Sequence, residues 1–299
     1  MTLSRFGLIT PVVTLTPNIH NAWEAKASFQ DAADIVKTAD RLGYHHVQCS
    51  EHVIISPEQA ARRGACYYDP LATFGYFAAV TTTIRFVTSV LVLGYNHPLA
   101  IAKRYGTLDV VSGGRLVLGL GVGSLKAEFD VLGLGGAEFE ERGARGDDAL
   151  QALRASLGKR EPEHHGPYYD FADVVVDPCA VQQDMPLWIG GRSFRSLRRA
   201  VELADGWMPF GLSAGELQTM VAKAQELPRW RERERPMELV LNTDNLLDPL
   251  GDPGATVAAL SALFAAGATR SQLAFVSRSP GHCIEQMEAM AALAEREFA

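Results

Sequence analysis

The chain has 299 residues, 47% of them hydrophobic and 21% charged, which excludes a disordered or fibrous protein and leaves enough apolar side chains for a large core. A net charge of -7 argues against a general nucleic-acid or membrane-surface binder, because such proteins need a positive field to meet phosphates. No linker or block of like charge divides the sequence and no apolar run approaches the ~20 residues of a membrane span, so it reads as one domain over 1–299, soluble and cytoplasmic.

Phe6 to Ile9 predicts a strand, and Ala27 to Leu42 predicts a helix, because Ala32, Ile35, Val36, Ala39 and Leu42 recur at helical spacing before Gly43. His46 to Cys49 predicts a second strand. Pro70 to Val80 then predicts a helix, Ile84 to Leu93 a β-branched strand, and Pro98 opens an amphipathic helix through Val111. Leu116 to Leu120, Leu187 to Gly190, Gly206 to Pro209, Met237 to Leu241 and Ser271 to Phe275 follow as strands. Their helices are Phe139 to Leu157, Phe194 to Ala204, Ala214 to Glu226, Pro253 to Ala266 and Cys283 to Glu297. Eight strand–helix units in one α/β domain favour a closed eight-stranded parallel (β/α) TIM barrel over an open sheet. Gly158 to Asp184, rich in Pro, Gly, His and acidic residues, reads as an insertion between the fourth helix and the fifth strand, and long loops of this kind often hold function.

In such a barrel, function sits where strands end. Those junctions read Ser50-Glu51-His52, Gly94-Tyr95-Asn96-His97, Gly119 to Ser124, and Gly190-Gly191-Arg192-Ser193. Glycines there let backbone approach a ligand, and the N–H groups of a following helix favour an anion. Gly119 to Gly123 lacks the full dinucleotide fingerprint and its acidic partner, which argues against a Rossmann fold.

The stretch His97-Pro98, Thr107-Leu108-Asp109, Ser112-Gly113-Gly114-Arg115 and Gly119 to Gly123, then Glu128-Phe129 and Gly133, resembles the central signature of the bacterial luciferase-like monooxygenase superfamily. Tyr68-Asp69-Pro70-Leu71, Gly166 to Tyr169, Pro186 to Gly191 and Ala204 to Trp207 extend the resemblance over about residues 5 to 280. It implies a β/α barrel that binds a flavin or a deazaflavin at its rim. Thr88 to Leu91 looks like the segment where members using coenzyme F420 place a cis bulge behind the deazaflavin ring, which here would be the Ser89–Val90 bond. By the same resemblance Ser89, Val90, Val122, Gly123, Gly190, Gly191 and Ser193 contact the cofactor, with Arg192 and Arg195 adding charge. Glu51-His52 resembles the family's acidic residue and histidine, which implies Glu51 as a cofactor contact and His52 as the proton donor or acceptor. An imidazole suits that task because it titrates near neutral pH. Ser124 stands where the F420-dependent glucose-6-phosphate dehydrogenases carry a catalytic glutamate, so sugar-phosphate oxidation is not the expectation. Lys126 is a candidate for an anionic substrate or a plain exposed lysine.

Other residues carry plainer readings. Cys49, Cys66, Cys179 and Cys283 are too far apart for a zinc ribbon, and Cys49 reads as buried and inert. His45, His46, His164 and His165 show no metal-ligand spacing, so no metal is expected. Trp188 and Trp207 read as core, and Tyr95 either as core or as a pocket wall. The Arg192, Arg195, Arg198 and Arg199 cluster either meets a phosphate or polyglutamate tail or is a solvated helix face. The expectation is an F420-dependent oxidoreductase passing hydride to or from a small organic substrate. The alternatives are a two-component monooxygenase using reduced FMN from a separate reductase, in a site closed by the insertion, and a non-catalytic carrier. A homodimer through helices on one barrel flank is the expected assembly.

Overall fold

The computed structural model describes residues 2–17, 19–243 and 245–298. Eight parallel strands close into a barrel: β1 (Phe6–Ile9), β2 (His46–Cys49), β3 (Arg85–Thr88), β4 (Leu116–Gly121), β5 (Leu187–Gly190), β6 (Gly206–Met208), β7 (Glu238–Asn242) and β8 (Arg270–Leu273). Each pairs with its neighbour in chain order, and β1 meets β8 with Phe6, Gly7 and Leu8 opposite Ser271, Gln272 and Leu273. This is the TIM barrel that the strand–helix alternation predicts.

Alternation along the strands sorts residues into two cores. Val87, Val117, Trp188, Met208 and Val240 cluster inside the barrel, whereas Phe6, Leu8, Val47, Phe86, Leu116 and Leu118 pack outward against helices. The helices start on a repeated device, a capping side chain followed by Pro. Ser56, Asp69, His97, Asp252 and Ser279 accept hydrogen bonds from N–H groups in the first turns of helices Pro57–Arg63, Pro70–Val80, Pro98–Ser112, Pro253–Ala265 and Pro280–Glu297.

Three local features differ from the sequence expectation. The Ile84 to Leu93 run splits into β3 and Leu91–Val92, with a cis Ser89–Val90 bond between them and the turn Leu93–Tyr95 after. The helix expected over Phe139 to Leu157 breaks at Glu141 into Ala137–Glu140 and Arg142–Ser156, because the short first piece lays Phe139 edge-on to Phe129 at 5.2 Å. Two unexpected helices, Pro57–Arg63 and Lys126–Val131, cover the barrel mouth. The first buries none of its residues and so has no apolar stripe to read.

The Gly158 to Asp184 insertion folds on the outside of the barrel. Its strands His164–His165 and Asp170–Phe171 form a hairpin. Buried Asp148 accepts from the Tyr168 and Tyr169 N–H groups at 2.9 Å each and lies 2.9 Å from His164 Nε2. Asp109 accepts from Val181 and Gln182 N–H at 3.0 Å each. Asp109 on helix Pro98–Ser112 and Asp148 on helix Arg142–Ser156 therefore hold the insertion, chiefly through its backbone N–H groups.

Candidate active site

At the C-terminal ends of the strands lies a cavity of about 350 Å³. Its roof is built from the loops after β1 and β2, joined by a short ladder in which Leu15 N–H donates to Cys66 O at 3.0 Å and Tyr68 N–H to Val13 O at 2.9 Å. None of the insertion lines it, so the loops after β1, β2, β4 and β6 close the site, and the expectation of an insertion lid does not hold.

Val90 forms the floor. A Cβ on Gly121 would come within 2.6 Å of Val90 Cγ2, and one on Gly190 within 2.5 Å of its Cγ1, so only glycines leave room for this side chain between β4 and β5. The next glycine on β4's side, Gly123, has φ +80°, and a Cβ there would meet Phe129 at 2.5 Å. Two acceptors also face the cavity wall, Gln48 Oε1 and Asn242 Oδ1, both buried without a partner among the described residues. Buried acceptors of this kind call for N–H or O–H donors on a ligand.

His52 stands on the wall with 19% of its side chain exposed, Nδ1 2.9 Å from Glu128 Oε2. Glu128 itself is 1% exposed and takes the Val53 and Ile54 N–H groups on Oε1 at 2.7 and 3.2 Å, while Tyr95 hydrogen-bonds it as well. Burial alone would raise this carboxyl, but the bonds from His52, Tyr95 and Ile54 outweigh it and hold it below the ordinary glutamate value. An ionised carboxylate only accepts, so His52 Nδ1 carries hydrogen and Nε2 is the nitrogen left to exchange a proton. The Tyr67 ring packs edge-on to the imidazole at 4.6 Å. Burial and Glu128 keep the Tyr95 hydroxyl well above the usual phenol range, so it stays a donor.

Glu51 lies beside His52, with Oε2 accepting from Val92 N–H at 2.7 Å. Burial pushes it up to about 7, the Val92 bond opposing and the nearby Asp69 and Glu128 charges adding to the rise. The cavity thus brings together Glu51, His52, Ser89, Val90, Val122, Gly123, Gly190 and Gly191 from the sequence expectation. Ser193 lies outside its lining, exposed, capping helix Phe194–Leu203 through the Ser196 N–H at 3.3 Å. Of the arginines, Arg199 is buried against Asp147 and Gly143 O, while Arg192 and Arg195 are exposed. Lys126 pairs with Asp130 at 2.7 Å on the surface. Cys49 is buried, with burial pushing its thiol up to about 12, as an inert cysteine requires. Sequence reasoning missed Glu128, Tyr67 and the cation Arg63 as site residues. Glu128 lay inside a quoted motif, three residues into a short helix after the glycine run, and a carboxylate there was the available signal.

The described residues hold no helix long and apolar enough to cross a membrane. Among solved structures, a monooxygenase of Streptomyces bottropensis aligns with a TM-score of 0.80 at 20% identity, covering 99% of this chain and 100% of its own. An F420-dependent glucose-6-phosphate dehydrogenase of Microbacterium testaceum is 29% identical over 182 residues, 60% of this chain and 52% of that protein. The oxygenase component of a flavin-dependent trigonelline monooxygenase of Acinetobacter baylyi is 25% identical over 178 residues, 59% of this chain and 47% of that one. Relatives of both cofactor types therefore match. The family described as luciferase-like monooxygenase matches residues 9–298, and the chain belongs to that family.

Proposed function

We propose that this enzyme is a coenzyme F420-dependent oxidoreductase acting on a small organic substrate, with His52 as the proton donor or acceptor. The observation that carries the reading is His52 on the wall of a cavity floored by Val90, its Nδ1 held 2.9 Å from buried Glu128. The residues fit a planar ring: Val90 offers an apolar surface, Gln48 Oε1 and Asn242 Oδ1 offer acceptors, and Gly123 and Gly191 bring bare backbone to the rim. When bound, a deazaflavin supplies hydride transfer without efficient oxygen activation, because carbon replaces the flavin's reactive nitrogen. The chain supplies orientation and a proton. His52 takes the proton from an alcohol as it is oxidised, or gives one to a carbonyl as it is reduced, while Glu128 fixes the ring and stabilises the imidazolium. Glu51 is proposed to contact the cofactor, and Ser193, at the start of its helix, to sit by the anionic end.

The second reading is a reduced-FMN monooxygenase served by a separate reductase, favoured by the similarity to an oxygenase component. Fluorescence titration with coenzyme F420 and FMN, each oxidised and reduced, separates the two. Tight binding of the deazaflavin alone supports the proposal; preference for reduced FMN overturns it.

A further inference from the structure

Among the described residues lining the cavity, Arg63 is the one lysine or arginine. It ends helix Pro57–Arg63 in the roof. Its neighbour Arg62 lies 3.8 Å from Glu58, but the Arg63 guanidinium has no hydrogen-bond or ion-pair partner among the described residues. The two carboxylates of the cavity are engaged elsewhere, Glu128 by His52 and two N–H groups and Glu51 by Val92 N–H. The backbone at Arg63 is tied to the wall that carries His52: Tyr67 Oη donates to Arg63 O at 2.7 Å, and the same Tyr67 ring packs on His52. Ile19, Leu125 and Phe210 give the lining apolar surface, with Thr16 and Ser124 as its small polar members.

We infer that the substrate carries a carboxylate on a compact apolar body, with Arg63 recognising the carboxylate, an inference that rests on the oxidoreductase reading of this cavity. An unpaired guanidinium fork lining the same cavity as the proton-exchanging histidine matches a carboxylate bidentately, whereas a phosphate dianion is usually met by more than one cation or a row of N–H groups. The body is small because about 350 Å³ is near the low end for a ligand site and has to admit a cofactor ring too.

The test is calorimetric binding of benzoate and of benzamide, its neutral isostere, to the full chain, with and without cofactor. The wild type is expected to bind benzoate roughly tenfold tighter, the ratio a charged hydrogen bond of modest net strength gives. Arg63→Gln is expected to abolish that preference while leaving the affinities for F420 and FMN unchanged, and Arg63→Lys to keep part of it. Because helix Pro57–Arg63 buries none of its residues, the variants are expected to fold, which circular dichroism checks. Equal binding of the two probes by the wild type, or a preference that survives in Arg63→Gln, overturns the inference. So does weaker cofactor binding by Arg63→Gln, which would assign the guanidinium to an anionic group of the cofactor itself. A preference lost in Arg63→Gln supports it whichever cofactor the titration selects, so the two readings fail separately.

Discussion

The barrel holds histidines at both ends, and they live under opposite rules. At the C-terminal end His52 faces a buried carboxylate at 2.9 Å and an open cavity. At the N-terminal end His46 is fully buried and His45 half-buried, with their Nδ1 atoms 2.9 Å apart and Arg85 and Arg270 nearby, the latter paired with Glu238 at 3.0 Å. Burial, then the adjacent His46 and the two arginines, pushes His45 down to about 2, and burial with the two arginines pushes His46 to about 3. On the proposed function the same side chain carries a proton where a carboxylate faces it, and it is a neutral filler where burial and neighbouring cations disfavour its charge. Gly7 makes space for the filler, since a Cβ there would stand 2.1 Å from the His46 ring.

The sharpest way to break this contrast is to remove the carrier. His52→Ala is expected to lower kcat by about 10²–10⁴-fold, the usual worth of a positioned acid or base, with cofactor affinity unchanged. Unaltered turnover would remove His52 from the mechanism. His46→Gln is expected to leave the pH profile of turnover where it was, because a ring that stays neutral gives that profile nothing to lose.

The filler histidines should instead declare themselves in acid stability. Their folded values lie below the 6.5 of a free imidazole, so the unfolded chain binds protons the folded one refuses. Their contribution is fully present above about pH 6.5 and drains away as the pH falls toward 3, at up to about 1.4 kcal/mol per pH unit for each ring. Urea unfolding between pH 4 and 8 measures the slope. A double His45→Gln, His46→Gln variant is expected to flatten it; an unchanged slope would mean that these rings are charged in the folded protein.

The two ends also differ in how much of them the sequence disclosed. The scaffold was legible because periodicity reports it: β1, β2 and β5 carry the predicted bounds, and several motif residues that suggested the family are structural. Asp109 pins the insertion, Arg115 donates to Ser112 O and Ala78 O beneath the barrel, and Asp205 accepts from Leu187 N–H at 2.8 Å. His52 and Glu51 were legible as polar residues at a strand end. Glu128 was not, because its meaning is a pairing across 76 residues that no local spacing encodes. Arg63 stayed hidden for a related reason: its helix has no apolar face, and its place in the cavity depends on the loop after β1 folding over it.

Glu128→Ala attacks the contrast through the partner. It strips the acceptor from Val53 and Ile54 N–H and from His52 at once, and leaving these part-buried donors without it is expected to cost about 1 kcal/mol in chemical denaturation. Glu128→Gln keeps the shape but loses the charge that stabilises the imidazolium. Its turnover is expected to fall while its stability loss stays smaller than that of the alanine variant. Equal stability loss with unchanged turnover would reduce Glu128 to a purely structural anchor.

The smallest expected effect concerns Glu51, the acid that obeys the opposite sign. Its folded value, about 7, lies above the 4.5 of a free glutamate, so the neutral carboxyl is the form the folded chain prefers. That contribution is fully present below pH 4.5 and is lost as the pH rises through 7. Glu51→Gln, neutral at every pH, is therefore expected to match the wild type at pH 4.5 and to be more stable at pH 8 by about 1–2 kcal/mol. Its Oε1 can still accept from Val92 N–H, so the comparison isolates charge from hydrogen bonding. If the variant were instead less stable at pH 8, Glu51 would be an ionised partner held by Val92 N–H and Arg104, and the cavity would present two anions to an incoming ligand. A gain at pH 8 would mean that Glu128 is the one carboxylate there fully ionised near neutral pH, and that its charge is committed to His52.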